Sequence, residues 1–176
     1  FVDGIQMRDI QNEAILFDMY YGDKASEELV ATASELNKVE PVTSETPIFQ
    51  NFYIRSVICN GAKRAISLNG LPEMPLKNIH ITDTYINSNK GILCTNSDSI
   101  YIINSNFVSK NSPLISLNQS TNISLIKINY LLEIDLFLKV EGERSENITL
   151  QNIDFTRVKK DVEFGKNVNV DAVVRK

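Results

Sequence analysis

A short phrase recurs along the chain, and this repeat constrains the fold more than any other feature of the sequence. Each copy begins with a small polar residue, usually Asn, followed by an apolar residue, any residue and a second apolar residue, as in NISL and NITL. Successive copies lie 20 to 27 residues apart from Asn51 onward, and a period of this size is typical of solenoids. The anchors of the repeat are Asn51, Asn78, Ser99, Asn122, Asn147 and Asn167, and Gly4 starts the series before a long insertion.

A second short apolar stretch follows each anchor, 14 residues after four of them. Both kinds of stretch alternate in and out and are rich in Ile, Val, Leu and Phe, which indicates strands. One coil of this size cannot enclose a core alone, whereas stacked coils can pair equivalent strands in parallel at about 4.8 Å. The pattern predicts an all-β chain folded as a right-handed parallel β-helix. The second stretches cover residues 14–17, 65–68, 91–94, 113–117, 136–140 and 161–164.

The recurring Asn has a structural explanation. Asn tolerates the left-handed backbone conformation of a tight corner, and stacked Asn side chains can hydrogen-bond along the axis as a ladder. Asn118, Asn122 and Asn147 also begin N-glycosylation sequons, and for the last two the ladder is the alternative explanation.

Composition and charge exclude several classes of protein. With 43% hydrophobic residues, the chain can form one domain over residues 1–176. The 18 Lys and Arg residues are scattered and the net charge is -4, so we expect no nucleic-acid partner. No apolar run approaches the roughly 20 residues of a membrane span. Cys59 and Cys94 lie far apart without a Cys/His cluster, which predicts buried thiols rather than a disulfide framework, a metal site or a cofactor.

An insertion over residues 22–45 interrupts the repeat. Residues 26–39 carry Leu29, Val30 and Leu36 among Glu, Lys and Ala, so we predict a short helix that ends before Pro41. Functions of repeat scaffolds often lie on such excursions, and the alternative is a surface loop without a role.

Three stretches resemble one known family: Gly4 to Ile10, EAILFDMYYG over residues 13–22, and residues 46–79. Together they are similar to the C-terminal half of family-28 glycoside hydrolases, the polygalacturonases and related pectin-cleaving enzymes, most closely the bacterial gut type. The period alone does not distinguish these from pectate lyases, pectin methylesterases or phage tailspikes.

The resemblance implies inverting hydrolysis, in which one carboxylic acid protonates the glycosidic oxygen and other carboxylates activate water. The family carries these groups in N-T-D-G, D-D, G-H-G and R-I-K motifs, all upstream of the part that this chain resembles. None of the four occurs here, so we expect the chain alone to be inactive. His80, the single histidine, is predicted to be a solvated surface residue, and Asp98 in NSDSI is interpreted as turn chemistry rather than as an active site.

One family position lies within the chain. Related enzymes carry a cleft-lining Tyr after a strand that reads I-x-I-D-Q-x-Y, and the matching run here is ILFDMYY, with Asp18 and Tyr21 in register and Met19 in place of Gln. A tyrosine there can stack on a pyranose and hydrogen-bond a hydroxyl group. The alternative is that Tyr20 and Tyr21 close the end of a coil.

Lys63 and Arg64, in NGAKRA, are the other predicted substrate-binding residues. We expect them on a turn near the cleft, where they would contact the carboxylates of galacturonate. The alternative is that they are ordinary solvated charges.

Three functions from different classes remain open. The first, which we favour, is the C-terminal part of a pectin hydrolase, secreted or periplasmic as the family implies, with pectic polysaccharide, galacturonan or rhamnogalacturonan, as its partner. The others are a non-catalytic module that binds acidic polysaccharide and a structural stalk or adhesin segment. Because the chain starts at Phe1, we expect a processed product or part of a longer protein. An uncapped first coil also predicts end-to-end self-association.

Overall fold

Every strand pair in the structure is parallel, and each strand pairs with its equivalents in the neighbouring coils. The structure is a computed structural model that describes residues 1–20 and 39–176. Its regular structure is almost entirely strand, which confirms the predicted parallel β-helix.

In chain order the strands are β1 (Val2–Asp3), β2 (Gln6–Asp18), β3 (Gln50–Arg55), β4 (Ile58–Asn69), β5 (Leu76–Thr82), β6 (Tyr85–Ser88), β7 (Lys90–Thr95), β8 (Ser97–Ser109), β9 (Ile115–Asn118), β10 (Thr121–Tyr130), β11 (Ile134–Glu141), β12 (Glu146–Gln151), β13 (Val158–Phe164) and β14 (Val173–Arg175), with a short 3-10 helix at Val170–Ala172.

The strands form three faces around the axis. Several long strands, such as β8, bend at a corner and contribute to two faces, so backbone pairing continues around the coil from one face to the next. The first face contains β1, β3, β5, β12, β14 and the starts of β8 and β10; the second contains β6, the starts of β2 and β4 and the ends of β8 and β10; the third contains β7, β9, β11, β13 and the ends of β2 and β4.

Inward side chains stack into apolar columns because equivalent positions of successive coils are in register. One column of the first face is fully apolar and buried throughout. Each buried aliphatic side chain contributes about 1.5–3 kcal/mol relative to exposure. Both cysteines lie in this interior as free thiols, which confirms that prediction. The column on the first face consists of Ile54, Ile81, Ile102, Leu125 and Leu150.

Single residues in the left-handed conformation make the corners, as predicted for the anchor positions. Asn51, Asn78, Ser99, Asn122 and Asn147 all have φ between 53° and 63°. A second corner lies five residues further along each of these coils. Its residues are Ser56, Asp83, Asn104, Lys127 and Asn152, all with positive φ.

The predicted Asn ladder is present, with one exchange of partner. The Asn78 amide donates to Asn51 Oδ1 at 2.6 Å, and Asn147 donates to Asn122 Oδ1 at 3.1 Å. At the coil where Ser99 replaces Asn, the Asn122 amide donates instead to Asp98 Oδ1 at 2.7 Å. The ladder amides of Asn122 and Asn147 are therefore occupied by structural hydrogen bonds.

The predicted helix over residues 26–39 falls outside the described residues except for its last position. At the start of the chain, β2 pairs with β4 on one side only among the described strands. The predicted end-to-end association stays a prediction, which sedimentation analysis over a range of protein concentrations would check.

Candidate functional site

Lys63 and Arg64 lie in a strand, so the prediction that they occupy a turn is wrong. β4 bends two residues before Lys63, at Gly61, where φ is +99° and the chain passes from the second face to the third. After this corner the backbone resumes ladder pairing, and Arg64 is in register with Glu13 on one side and Lys90 on the other. The strand fixes both side chains relative to the next coil.

Four basic residues from three successive coils meet at this corner. Lys63 and Lys110 line one open depression of about 470 Å³ with Asp9 and the backbone around Gly61. Arg64 and Lys90 lie beside it in adjacent coils, about 4.8 Å apart along the axis. We name Lys63, Arg64, Lys90 and Lys110 the cationic cluster.

The residues of the cluster influence each other's protonation. Partial burial lowers the pKa of Lys90, and the positive charges of Arg64 and Lys63 lower it further. Burial also lowers the pKa of Arg64, while the neighbouring Glu13 carboxylate opposes this change. The cations therefore repel one another, and Glu13 offsets part of this repulsion at both Lys90 and Arg64. An anionic ligand that lies near these cations would relieve it further.

Asp18 is separate from the cationic cluster. It is half-buried at the end of β2, its Oδ1 accepts a hydrogen bond from the Tyr20 amide at 3.1 Å, and it is in register with Asn69. Glu13 of β2 is in register with Arg64 of β4. Asp18 lies five residues after Glu13 on β2, about 16 Å further along the strand. Tyr21 lies outside the described residues. The substrate-binding roles of all four residues stay predictions.

An aromatic ladder on the outer surface of the first face was not predicted. Tyr53, His80 and Tyr101 are in register in three successive coils. The ring centroids of Tyr53 and His80 are 4.7 Å apart with an interplanar angle of 16°, and those of His80 and Tyr101 are 4.4 Å apart at 13°. Asn78 Oδ1 lies 2.9 Å from His80 Nε2. His80 points outward as expected, but it is half-buried between two rings rather than solvated.

The repeat itself carried the signal for this ladder. Tyr53, His80 and Tyr101 each stand two residues after an anchor of the repeat. Alignment of the coils on their anchors would have placed the three rings in one outward row. The cationic cluster lacks such a signal, because the coils differ in length between the anchor and the third face.

Within residues 1–20 and 39–176, no group of three or more His, Cys, Asp or Glu side chains is arranged to hold a metal ion. No helix in the same part of the chain has the length and apolar character needed to cross a membrane. No protein-family model, curated protein or solved structure matches the chain.

Proposed function

We propose that this chain is a polysaccharide-binding segment of a pectin-degrading β-helix protein of the polygalacturonase type, acting in the periplasm or outside the cell. Two observations support the proposal: the parallel β-helix fold, which suits a pectate-lyase-like module, and the resemblance of the sequence to the family-28 hydrolases. The observation that carries it is the cationic cluster, where strands of neighbouring coils hold cations side by side.

The chemistry of an acidic polysaccharide fits such a surface. Galacturonan carries one carboxylate on every sugar, so its charges repeat along the polymer as the coils repeat along the axis. The Arg64 guanidinium can bind a carboxylate in bidentate fashion, whereas Lys63, Lys90 and Lys110 act as point charges. A single exposed ion pair contributes only about 0–1 kcal/mol, so we expect binding to require several cations at once.

We propose binding without cleavage for the isolated chain. Inverting hydrolysis needs two carboxyl groups about 6.5–9.5 Å apart on opposite faces of the sugar. The family's Asp-Asp, Gly-His-Gly and Arg-Ile-Lys motifs do not occur in this sequence. Bond cleavage in the parent protein would therefore depend on residues outside this chain.

Isothermal titration with polygalacturonate at low and high salt tests the binding. The variant that combines Lys63→Gln, Arg64→Gln and Lys90→Gln should lose binding at least about tenfold, a difference of about 1.4 kcal/mol. The wild-type affinity should fall with added salt, because exposed charges are screened. A control variant with the same net charge combines Lys127→Gln, Lys159→Gln and Lys166→Gln, which lie on later coils, and should bind like wild type.

Equal loss in both triple variants would mean that net charge alone matters, and the cluster would not be the site. Absence of binding in the wild type would favour the stalk or adhesin alternative. Reducing-end release from polygalacturonate should be absent with the 176-residue chain and present with a protein extended upstream. Release by the short chain would contradict the proposal and direct attention to Asp18 and Asp98.

A further inference from the structure

The aromatic ladder ends abruptly, and the space beyond its last ring is shaped by small side chains. One face of the Tyr101 ring stacks on His80. The opposite face points towards the next coil, where Ser124 occupies the equivalent position, and Thr149 follows in the coil after that. A serine fills far less space than a ring, so the row of rings stops at Tyr101. We call the surface position above Ser124, where the next ring of the stack would lie, the gap.

The floor of this gap is polar. Ser124 and Thr149 are half-exposed, and their hydroxyl groups make no hydrogen bond to any other described residue. Each hydroxyl can donate one hydrogen bond and accept others. The gap therefore combines one aromatic wall with two hydroxyl groups at its base.

The rows beside the gap set its charge. On one side lie Asp98 and Glu146, separated by Thr121, and on the other side lie Ile103 and Ile126. Burial opposes ionisation of Asp98, yet hydrogen bonds from Asn122, Ser99 and Thr121 lower its pKa overall.

Two lysines on the same face equal these carboxylates in number. Lys77 Nζ lies 3.5 Å from Asp98 Oδ2, and Lys127 occupies the second corner of the Ser124 coil. The gap therefore has no excess of positive charge, in contrast to the cationic cluster.

We propose that this gap, formed by Tyr101, Ser124 and Thr149, is a second carbohydrate site that binds a neutral pyranose ring. The apolar face of the sugar stacks on Tyr101 and takes the place of the next rung, and its hydroxyl groups hydrogen-bond Ser124 and Thr149. The lack of excess positive charge favours a neutral sugar over a uronic acid. This site lies on the first face, at a different corner of the coil from the cationic cluster, and does not depend on it.

NMR titration of the 176-residue chain with a short neutral galactose oligosaccharide tests this site. The ring current of Tyr101 should shift sugar C–H protons upfield. A galacturonic acid oligosaccharide of equal length, which can bind at the cationic cluster, should shift the amide signals of Ser124 and Thr149 less than the neutral sugar does. Tyr101→Ala should reduce the affinity about tenfold or more, whereas Tyr101→Phe should retain it, since the ring makes the contact. Tyr85→Ala, on the second face, is the matched control and should bind like wild type.

Ser124→Tyr gives an independent check that does not weaken the fold. The new ring would extend the ladder and fill the gap, so binding should be lost while the circular dichroism spectrum and unfolding midpoint are retained. Unchanged binding in Tyr101→Ala and Ser124→Tyr would overturn the proposal, as would a wild type that does not bind the neutral sugar. Because the cationic cluster is tested with polygalacturonate, either proposal can fail without the other.

Discussion

At the scale of single residues, the corners of the coil depend on side chains that accept a left-handed backbone. Asn122 has φ of 56°, donates to Asp98 and accepts from Asn147. The same residue therefore satisfies a backbone constraint and links three coils. This double role explains why Asn recurs at the anchors, where glycine would satisfy the backbone alone.

Asn122→Ala should destabilise the protein more than Asn122→Gly. Both variants lose the two ladder hydrogen bonds, but alanine also has to adopt the left-handed conformation, at an additional cost of about 1–2 kcal/mol. Urea unfolding followed by circular dichroism compares the midpoints of the two variants. Equal midpoints would show that the backbone conformation contributes little at this corner.

Asp98 should make stability depend on pH. Burial alone would raise the pKa of Asp98. Hydrogen bonds from Asn122, Ser99 and Thr121, together with the Lys77 charge, lower this pKa below the ordinary value of 3.8. Because the folded-state pKa is lowered, the stabilisation from ionised Asp98 is fully present above about pH 3.8. It is lost as the pH falls through the folded-state pKa.

In thermal unfolding measured down through this acid range, Asp98→Asn should lose less stability than wild type. A parallel decline in the two proteins would rule out this contribution of Asp98.

At the scale of the elements, the outer surface of the first face is stabilised by ring stacking across strands. His80 contacts Tyr53 in β3 and Tyr101 in β8, so it couples three strands that are not adjacent in sequence. Stacked aromatic pairs contribute about 0.5–1.5 kcal/mol beyond their buried area.

His80→Ala should therefore lower the unfolding free energy by about 1 kcal/mol or more, because it exposes two ring faces at once. His80→Tyr keeps a ring in the stack and should recover most of the loss. Chemical denaturation of the three proteins checks this order. If His80→Ala were as stable as wild type, the ladder would be a consequence of the register rather than a source of stability.

At the scale of the whole molecule, the continuous interior excludes solvent from both thiols. Burial raises the pKa of Cys94 to about 12 and also raises that of Cys59. Because the thiolate is the reactive form, neither cysteine should react with a thiol reagent at mildly alkaline pH in the folded protein. Both should react in concentrated guanidinium chloride. Rapid labelling of one thiol under native conditions would indicate that the interior opens locally.

The architecture of this protein is readable from patterns in its sequence. The alternation of apolar residues and the preference of Asn for left-handed corners are local properties, and the spacing of the anchors is found by comparing successive stretches of about two dozen residues. The expectation of buried cysteines followed from the separation of Cys59 and Cys94 and from the absence of a Cys/His cluster in the sequence.

Which basic side chains lie together depends on how the coils stack. Arg64 and Lys90 are 26 residues apart, and their position side by side depends on the register between coils of unequal length. The strand position of Lys63 and the separation of Asp18 from Arg64 have the same origin. A loop that bulges from one coil changes the number of residues between equivalent positions. It does not change the stacking, because backbone pairing and core packing fix the register of the strands on either side of the loop.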